Sequence, residues 1–201
     1  MSDVNVIEIE DVIPKLYQDQ IEAETTSRMP WFFSLEPGRS GALGRADAAD
    51  AGYSGFSNTV FHADDVGAPP STMTALLLPL LLTFCDRARR PFSKLLRIRL
   101  GLYPRTMIEA DHHPHVDFYQ PHYNALYYVN DADGDTILFN ETFEDVTKAM
   151  LPAYTAQQRF TVAKRIAPKK GKIVGFDGGQ YHASTHPRQA SHRIVIAFSF
   201  L

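Results

Sequence analysis

From Leu95 onward, apolar and polar positions alternate with a period of two. In 95-LLRIRLGLY-103, Ile98, Leu100 and Leu102 alternate with Arg97, Arg99 and Gly101, the pattern of a strand with one buried face. Shorter apolar runs follow at 124-NALYYVN-130, 135-DTILF-139, 163-AKRIA-167 and 172-KIVGF-176, with turn signals at 131-DADG-134 and 168-PKKG-171. In 193-RIVIAFSF-200, Arg193, Val195, Ala197 and Ser199 share one face, and Ile194, Ile196, Phe198 and Phe200 the other. The first half reads differently. Residues 4–10 alternate like a short strand. Residues 11–26 predict a helix capped at or near Asp11, with Pro14 early. Residues 73–90 predict a mostly buried helix that Pro79 should start, kink or split. Residues 36–72 predict irregular connection, and 142–160 a helix or a long excursion. The expectation is an α+β chain, mainly β, with an antiparallel sandwich or barrel. It is read as a single domain over 1–201, with a helical support and loops over 1–93 and the core over 94–201.

Composition narrows the classes. The chain is 44% apolar and 21% charged with a net charge of −3, so no electrostatic footprint for nucleic acid is expected. The clusters 87-RARR-90 and 168-PKKGK-172 read as solvated surface. The lone cysteine, Cys85, excludes a disulfide within the chain and reads as a buried, inert thiol. No signal-peptide pattern opens the sequence, and 75-ALLLPLLL-82 is too short to span a membrane. A soluble, cytoplasmic protein is expected, with its oligomeric state open.

The chemistry concentrates in 109-EADHHPHVDFYQPHYNALYYVND-131. His112, His113, His115 and His122 lie here, half of the eight histidines. His115 and Asp117 stand two apart, so an extended chain points both the same way. Two histidines and a carboxylate on one side of an iron leave positions open for substrates. His182, in 176-FDGGQYHAST-185, follows a strand and a glycine turn and is the candidate third ligand. Rivals remain: His113 with His115 forms an H-x-H pair, and His182 with His186 has helical zinc spacing, against which Pro187 argues. His62, beside Asp64 and Asp65, reads as surface; His112, His122 and His192 read as surface or supporting residues. Arg193, eleven residues after His182, heads a core strand. A buried guanidinium needs an anion, and its fork suits a carboxylate.

These residues together resemble the iron(II)- and 2-oxoglutarate-dependent dioxygenases of the prolyl 4-hydroxylase-like branch. The resemblance rests on 115-HVD-117, His182 and Arg193 in order, and on 126-LYYVNDADGDTILF-139, 171-GKIVGFDGGQYHAST-185 and the tyrosine of 102-LYP-104. It is close over residues 95–201 and only in outline before them. The His182–Arg193 gap is slightly long, and Ala197 stands where some relatives carry a hydroxyl. The resemblance implies a double-stranded β-helix (jelly roll) with the N-terminal helices packed on one sheet. It implies Fe(II) on His115, Asp117 and His182, and 2-oxoglutarate held by Arg193, Tyr128 and Tyr103. Dioxygen would be the oxidant, ascorbate a candidate reductant, and a small molecule or a peptidyl residue such as proline the substrate. Residues 36–72 and 142–160 are candidate specificity loops. Trp31, Phe32 and Phe33 could line a cleft or pack in the core, and Tyr119 and His122 could edge the iron. Two alternatives stay open: a cupin-type metalloenzyme using His113 and His115, although 116-VDFYQ-120 lacks the expected glutamate, and a non-catalytic jelly-roll binding module.

Overall fold

The computed structural model describes residues 4–34, 54–65, 71–107, 111–143 and 160–201. Two antiparallel sheets face each other. The larger contains β1 (Val6–Ile9), β2 (Phe32–Ser34), β3 (Gly55–His62), β4 (Leu95–Pro104), β5 (Tyr123–Tyr128), β8 (Ile173–Asp177) and β10 (His192–Phe200), in the order β1-β8-β5-β10-β4-β3-β2. The smaller contains β6 (Thr136–Thr142), β7 (Val162–Ile166) and β9 (Gln180–Ser184), in the order β7-β6-β9.

The alternation in β4 and β10 determines which face meets what. Their register pairs Arg193 with Tyr103, Val195 with Gly101, Ala197 with Arg99 and Ser199 with Arg97. The opposite, aliphatic face of this sheet is covered by α1 (Lys15–Ser27) and α2 (Thr72–Ala88): Ile21, Leu77, Leu80, Leu81 and Phe84 are buried with Ile98, Leu100, Ile194, Ile196 and Phe198. On the inner face, Tyr103, Leu126, Tyr128, Val174, Phe176 and Val195 meet Leu138 and Ile166 of the smaller sheet. β5 is covered on both sides, which is why its sequence is an apolar run rather than an alternation. β10 turns large residues outward to the helices and Val195, Ala197 and Ser199 inward. Small inward residues leave room between the sheets.

Several expectations need correction. Residues 36–72 are not irregular throughout: Gly55–His62 form β3, pairing β2 on one side and β4 on the other. Its Ser57, Asn58 and Thr59 hide the apolar alternation, because this strand lies near the sheet's edge and is only half covered. The larger sheet therefore draws strands from both sides of residue 94, since β1 also pairs with β8. Helix α1 starts behind Pro14, whose carbonyl accepts from the Tyr17 and Gln18 N–H groups, with no side-chain cap. Asp11 instead accepts from Gln18 Nε2 at 3.0 Å. Pro79 neither starts nor splits α2. The carbonyl it leaves unbonded belongs to Ala75, which is exposed and can turn to water. Trp31 is half-buried against the core, whereas Phe32 and Phe33 are 62% and 63% exposed. Residues 144–159 of the expected excursion lie outside the described residues. Cys85 is buried, and burial pushes its thiol up to about 11, in keeping with an inert side chain.

Candidate metal centre and anion pocket

His182 sits in the middle of β9, so the residues after the glycine turn are themselves a strand. The segment carrying His115 and Asp117 is extended but belongs to neither sheet. It attaches to β9 by isolated bridges, Asp111 to Thr185 and His115 to His182. His115 N–H donates to the His182 carbonyl at 2.9 Å, and His182 N–H returns the bond at 3.0 Å. This exchange brings the imidazoles to a centroid separation of 4.5 Å. Asp117, two residues on, reaches the same place, with Oδ2 at 3.6 Å from His182 Nε2. One potential ligand atom from each of His115, Asp117 and His182 lies within 4.8 Å of the others.

The tautomers follow from the backbone. His115 Nδ1 is 3.1 Å from the His113 carbonyl, and His182 Nδ1 is 3.1 Å from the Gln180 carbonyl. A carbonyl only accepts, so Nδ1 carries the proton and Nε2 keeps its lone pair free for a ligand. Burial, reinforced by His182, lowers the His115 pKa to about 3, so the ring is neutral at pH 7. Burial alone would raise Asp117. The Arg97 guanidinium, together with His182, His115 and His122, outweighs it and holds the carboxyl well below the usual carboxylate range. Arg97 Nη2 donates to Asp117 Oδ1, and both side chains are almost wholly buried. Two imidazole Nε2 atoms and one ionised carboxylate suit a divalent first-row metal. Arg97 was visible only as a polar position in β4. Its role depends on a contact twenty residues away in sequence.

Farther along the inner face lies a second polar group. Arg193 is fully buried. Its Nη2 donates to Thr136 Oγ1 at 2.7 Å, and Tyr128 OH donates to the same oxygen at 2.8 Å. The guanidinium carbon lies 5.2 Å from the Tyr103 ring centre and 5.6 Å from that of Tyr128. Nε and Nη1 have no hydrogen-bond partner among the described residues, and no described carboxylate pairs with this cation. A buried guanidinium with two unanswered donors fits an anionic ligand. Tyr128 stays protonated, because burial raises its pKa and Arg193 only partly offsets this. The Tyr103 ring folds over Gly101, where a Cβ would come within 3.0 Å of it.

Thus the structure brings His115, Asp117 and His182 together, and separately Arg193, Tyr128 and Tyr103. His113 is exposed, outside the three-residue cluster, and contributes a carbonyl. His112 and His122 are buried rather than on the surface. His112 and His186 pack against Tyr103, with centroids 5.3 and 5.7 Å from its ring. His186 Nδ1 donates to the Pro104 carbonyl at 2.7 Å, which removes it from any helical pairing with His182. Thr136 carries no functional signal in the sequence beyond the threonine of 136-TILF-139; its role follows from its contacts with Arg193 and Tyr128.

No family model and no curated protein sequence matches the chain. Solved structures do. A 2OG-Fe(II) oxygenase family oxidoreductase from Burkholderia pseudomallei superposes with a TM-score of 0.63 at 12% identity, over 97% of this chain and 84% of that one. A prolyl-4-hydroxylase from Pseudomonas putida gives a TM-score of 0.55 at 14% identity, over 98% and 92%. HygX from Streptomyces hygroscopicus, solved with nickel and 2-oxoglutarate bound, gives 0.59 at 13% identity, over 98% and 83%. Facing antiparallel sheets, helices on one of them and these likenesses agree: the chain has the double-stranded β-helix fold of the 2OG-Fe(II) oxygenases.

Proposed function

We propose that this protein is an Fe(II)- and 2-oxoglutarate-dependent dioxygenase. The observation that carries the reading is the pairing, between two sheets of this fold, of a three-residue metal-type cluster with a buried guanidinium that has no acidic partner among the described residues. His115 Nε2, His182 Nε2 and an Asp117 oxygen would hold the iron on one side. Bound iron with 2-oxoglutarate would supply dioxygen activation coupled to oxidative decarboxylation, giving succinate, CO2 and a hydroxylated substrate.

The chain's own groups do the positioning. Arg193 keeps unanswered donors on two edges of its guanidinium, at Nε and at Nη1, and either can donate to the far carboxylate of the cosubstrate. Thr136 fixes the third side of the guanidinium, and Tyr128 fixes Thr136. Tyr103 walls the pocket with an apolar ring, excluding water from the anion. Arg97 keeps Asp117 ionised and occupies one carboxylate oxygen, leaving the other toward His182. Free small molecules and peptidyl residues, proline among them, are both substrates this reading allows.

The test is an anaerobic titration of Fe(II)-loaded protein with 2-oxoglutarate, followed by visible absorption. A weak metal-to-ligand charge-transfer band is expected. Folded, iron-holding protein without that band would overturn the reading. A band without cosubstrate consumption under oxygen, with or without candidate substrates, would indicate a binding module instead.

A further inference from the structure

Three inward positions of β4 carry large polar or aromatic side chains, Arg97, Arg99 and Tyr103. Arg97 is matched to Asp117, and Tyr103 lies against Arg193. Arg99 stands between them, opposite the small residue Ala197 on β10. It is half-buried. Its one hydrogen bond among the described residues is a long one, from Nη2 to Ser57 Oγ at 3.4 Å. No described carboxylate forms an ion pair with it. Burial pulls its pKa down, and neither Tyr103 nor Asp117 restores it. The nearer charge of Arg97 is already cancelled by Asp117. Among the described residues Arg99 is therefore a second guanidinium without an acidic partner, at the metal-cluster end of the inner face.

Its surroundings differ from those of Arg193. On the β3 side Arg99 pairs with Thr59, which is exposed, and Gly101 pairs with Ser57, which is half-buried. The hydroxyl-lined strip beside Arg99 thus opens to solvent, while Arg193 is sealed. Two isolated cations in one cleft call for two anions, or one long one. 2-Oxoglutarate on the metal and Arg193 would use its carboxylates there. Asp117 is committed to Arg97 and the metal. Among the described residues and on the cosubstrate, no carboxylate remains to answer Arg99.

We infer that the oxidised substrate carries its own carboxylate, seated on Arg99 with Ser57 beside it, in the open half of the cleft. The inference rests on the proposed dioxygenase reading. It favours a free acid, such as an amino acid, or a residue at a peptide's C-terminus, over a residue inside a peptide. A guanidinium can answer a carboxylate with two parallel N–H bonds. An internal peptide carbonyl cannot neutralise it.

The test uses the intact protein, loaded with Fe(II) and 2-oxoglutarate without oxygen, and follows perturbation of the charge-transfer band. The probes are the common L-amino acids, their carboxamides, and dipeptides with a free or amidated C-terminus. At least one free acid is expected to perturb the band, and its amide to bind about 10- to 100-fold more weakly, the range of a lost charge-assisted hydrogen bond. Binding of free amino acids alone marks a small-molecule substrate; binding of free-acid dipeptides marks a peptide terminus. Arg99→Gln should weaken the best acid by a similar factor, and Arg99→Lys should recover part of it. The acid–amide comparison needs no variant, so a folding defect in Arg99→Gln does not stop the test. Equal binding of acids and amides, or no response to any acid, overturns the inference. Absence of the band with 2-oxoglutarate alone signals failure of the dioxygenase reading instead.

Discussion

Arg97 is the strongest of the groups that keep Asp117 ionised before any metal arrives, while His112 and His115 depend on burial to remain neutral. His112 is the clearest case. It is buried against Tyr103 and His186, and burial, with His186 and Arg193 adding to it, lowers its pKa to about 3. The unfolded chain binds a proton at His112 near pH 6.5, whereas the folded chain resists until about pH 3. Between those values the unfolded state holds more protons, so stability is full above about pH 6.5 and is lost as pH falls through this window. For His112 alone the loss from pH 7 to pH 5 should be about 2 kcal/mol. Urea unfolding at the two pH values checks this. His112→Gln should reduce the difference by a comparable amount; a pH dependence identical to that of the unaltered protein would show that His112 titrates normally.

At the scale of elements, the helices meet the large sheet at a glycine. A Cβ on Gly175 of β8 would lie 2.3 Å from Phe84 Cζ and 2.9 Å from Tyr123 Cε1. The missing side chain lets Phe84 of α2 press onto the strand. Gly175→Val should destabilise the fold by about 3 kcal/mol, the upper range for overpacking. Trimming the obstruction with Phe84→Leu should recover part of that loss in the double variant. Additive losses in chemical denaturation would mean that the two residues do not share the space. The sequence announces the strands on either side of this contact, β5 and β8, through unbroken apolar runs. It does not announce β3, whose partly covered face tolerates serine, asparagine and threonine. It also hides β9, because a five-residue strand after two glycines reads as the exit of a turn. The ligand candidates His115, Asp117 and His182 were legible from residue type and order. Their meeting was not, because it depends on two backbone hydrogen bonds between segments more than sixty residues apart. Arg97, Arg99 and Thr136 were hidden for the same reason: a polar side chain in a strand becomes a site residue only through what the facing segments bring to it.

Across the whole molecule, the cleft connects parts that sequence keeps separate. Arg97 and Tyr103 come from β4, Tyr128 from β5, Thr136 from β6, His182 from β9 and Arg193 from β10, so both sheets contribute. Ligands bound there would clamp one sheet to the other. Without them, the fold carries a buried charge at Arg193 with two unanswered donors, which opposes folding. Arg193→Met keeps most of the volume and removes the charge. In metal-loaded protein lacking 2-oxoglutarate, this variant should be as stable as the unaltered chain, or more so, because an apolar replacement of a buried charge is often neutral or favourable. Adding 2-oxoglutarate at about a hundred times its dissociation constant should stabilise the unaltered protein by about 2.7 kcal/mol and the variant by far less. Thermal or urea unfolding with metal alone and with metal plus 2-oxoglutarate separates the two effects. A variant that loses stability without the cosubstrate yet keeps the full cosubstrate-linked gain would make Arg193 a structural cation. The opposite pattern would mean that the protein maintains an unpaired buried charge for its ligand, sacrificing stability in the free state.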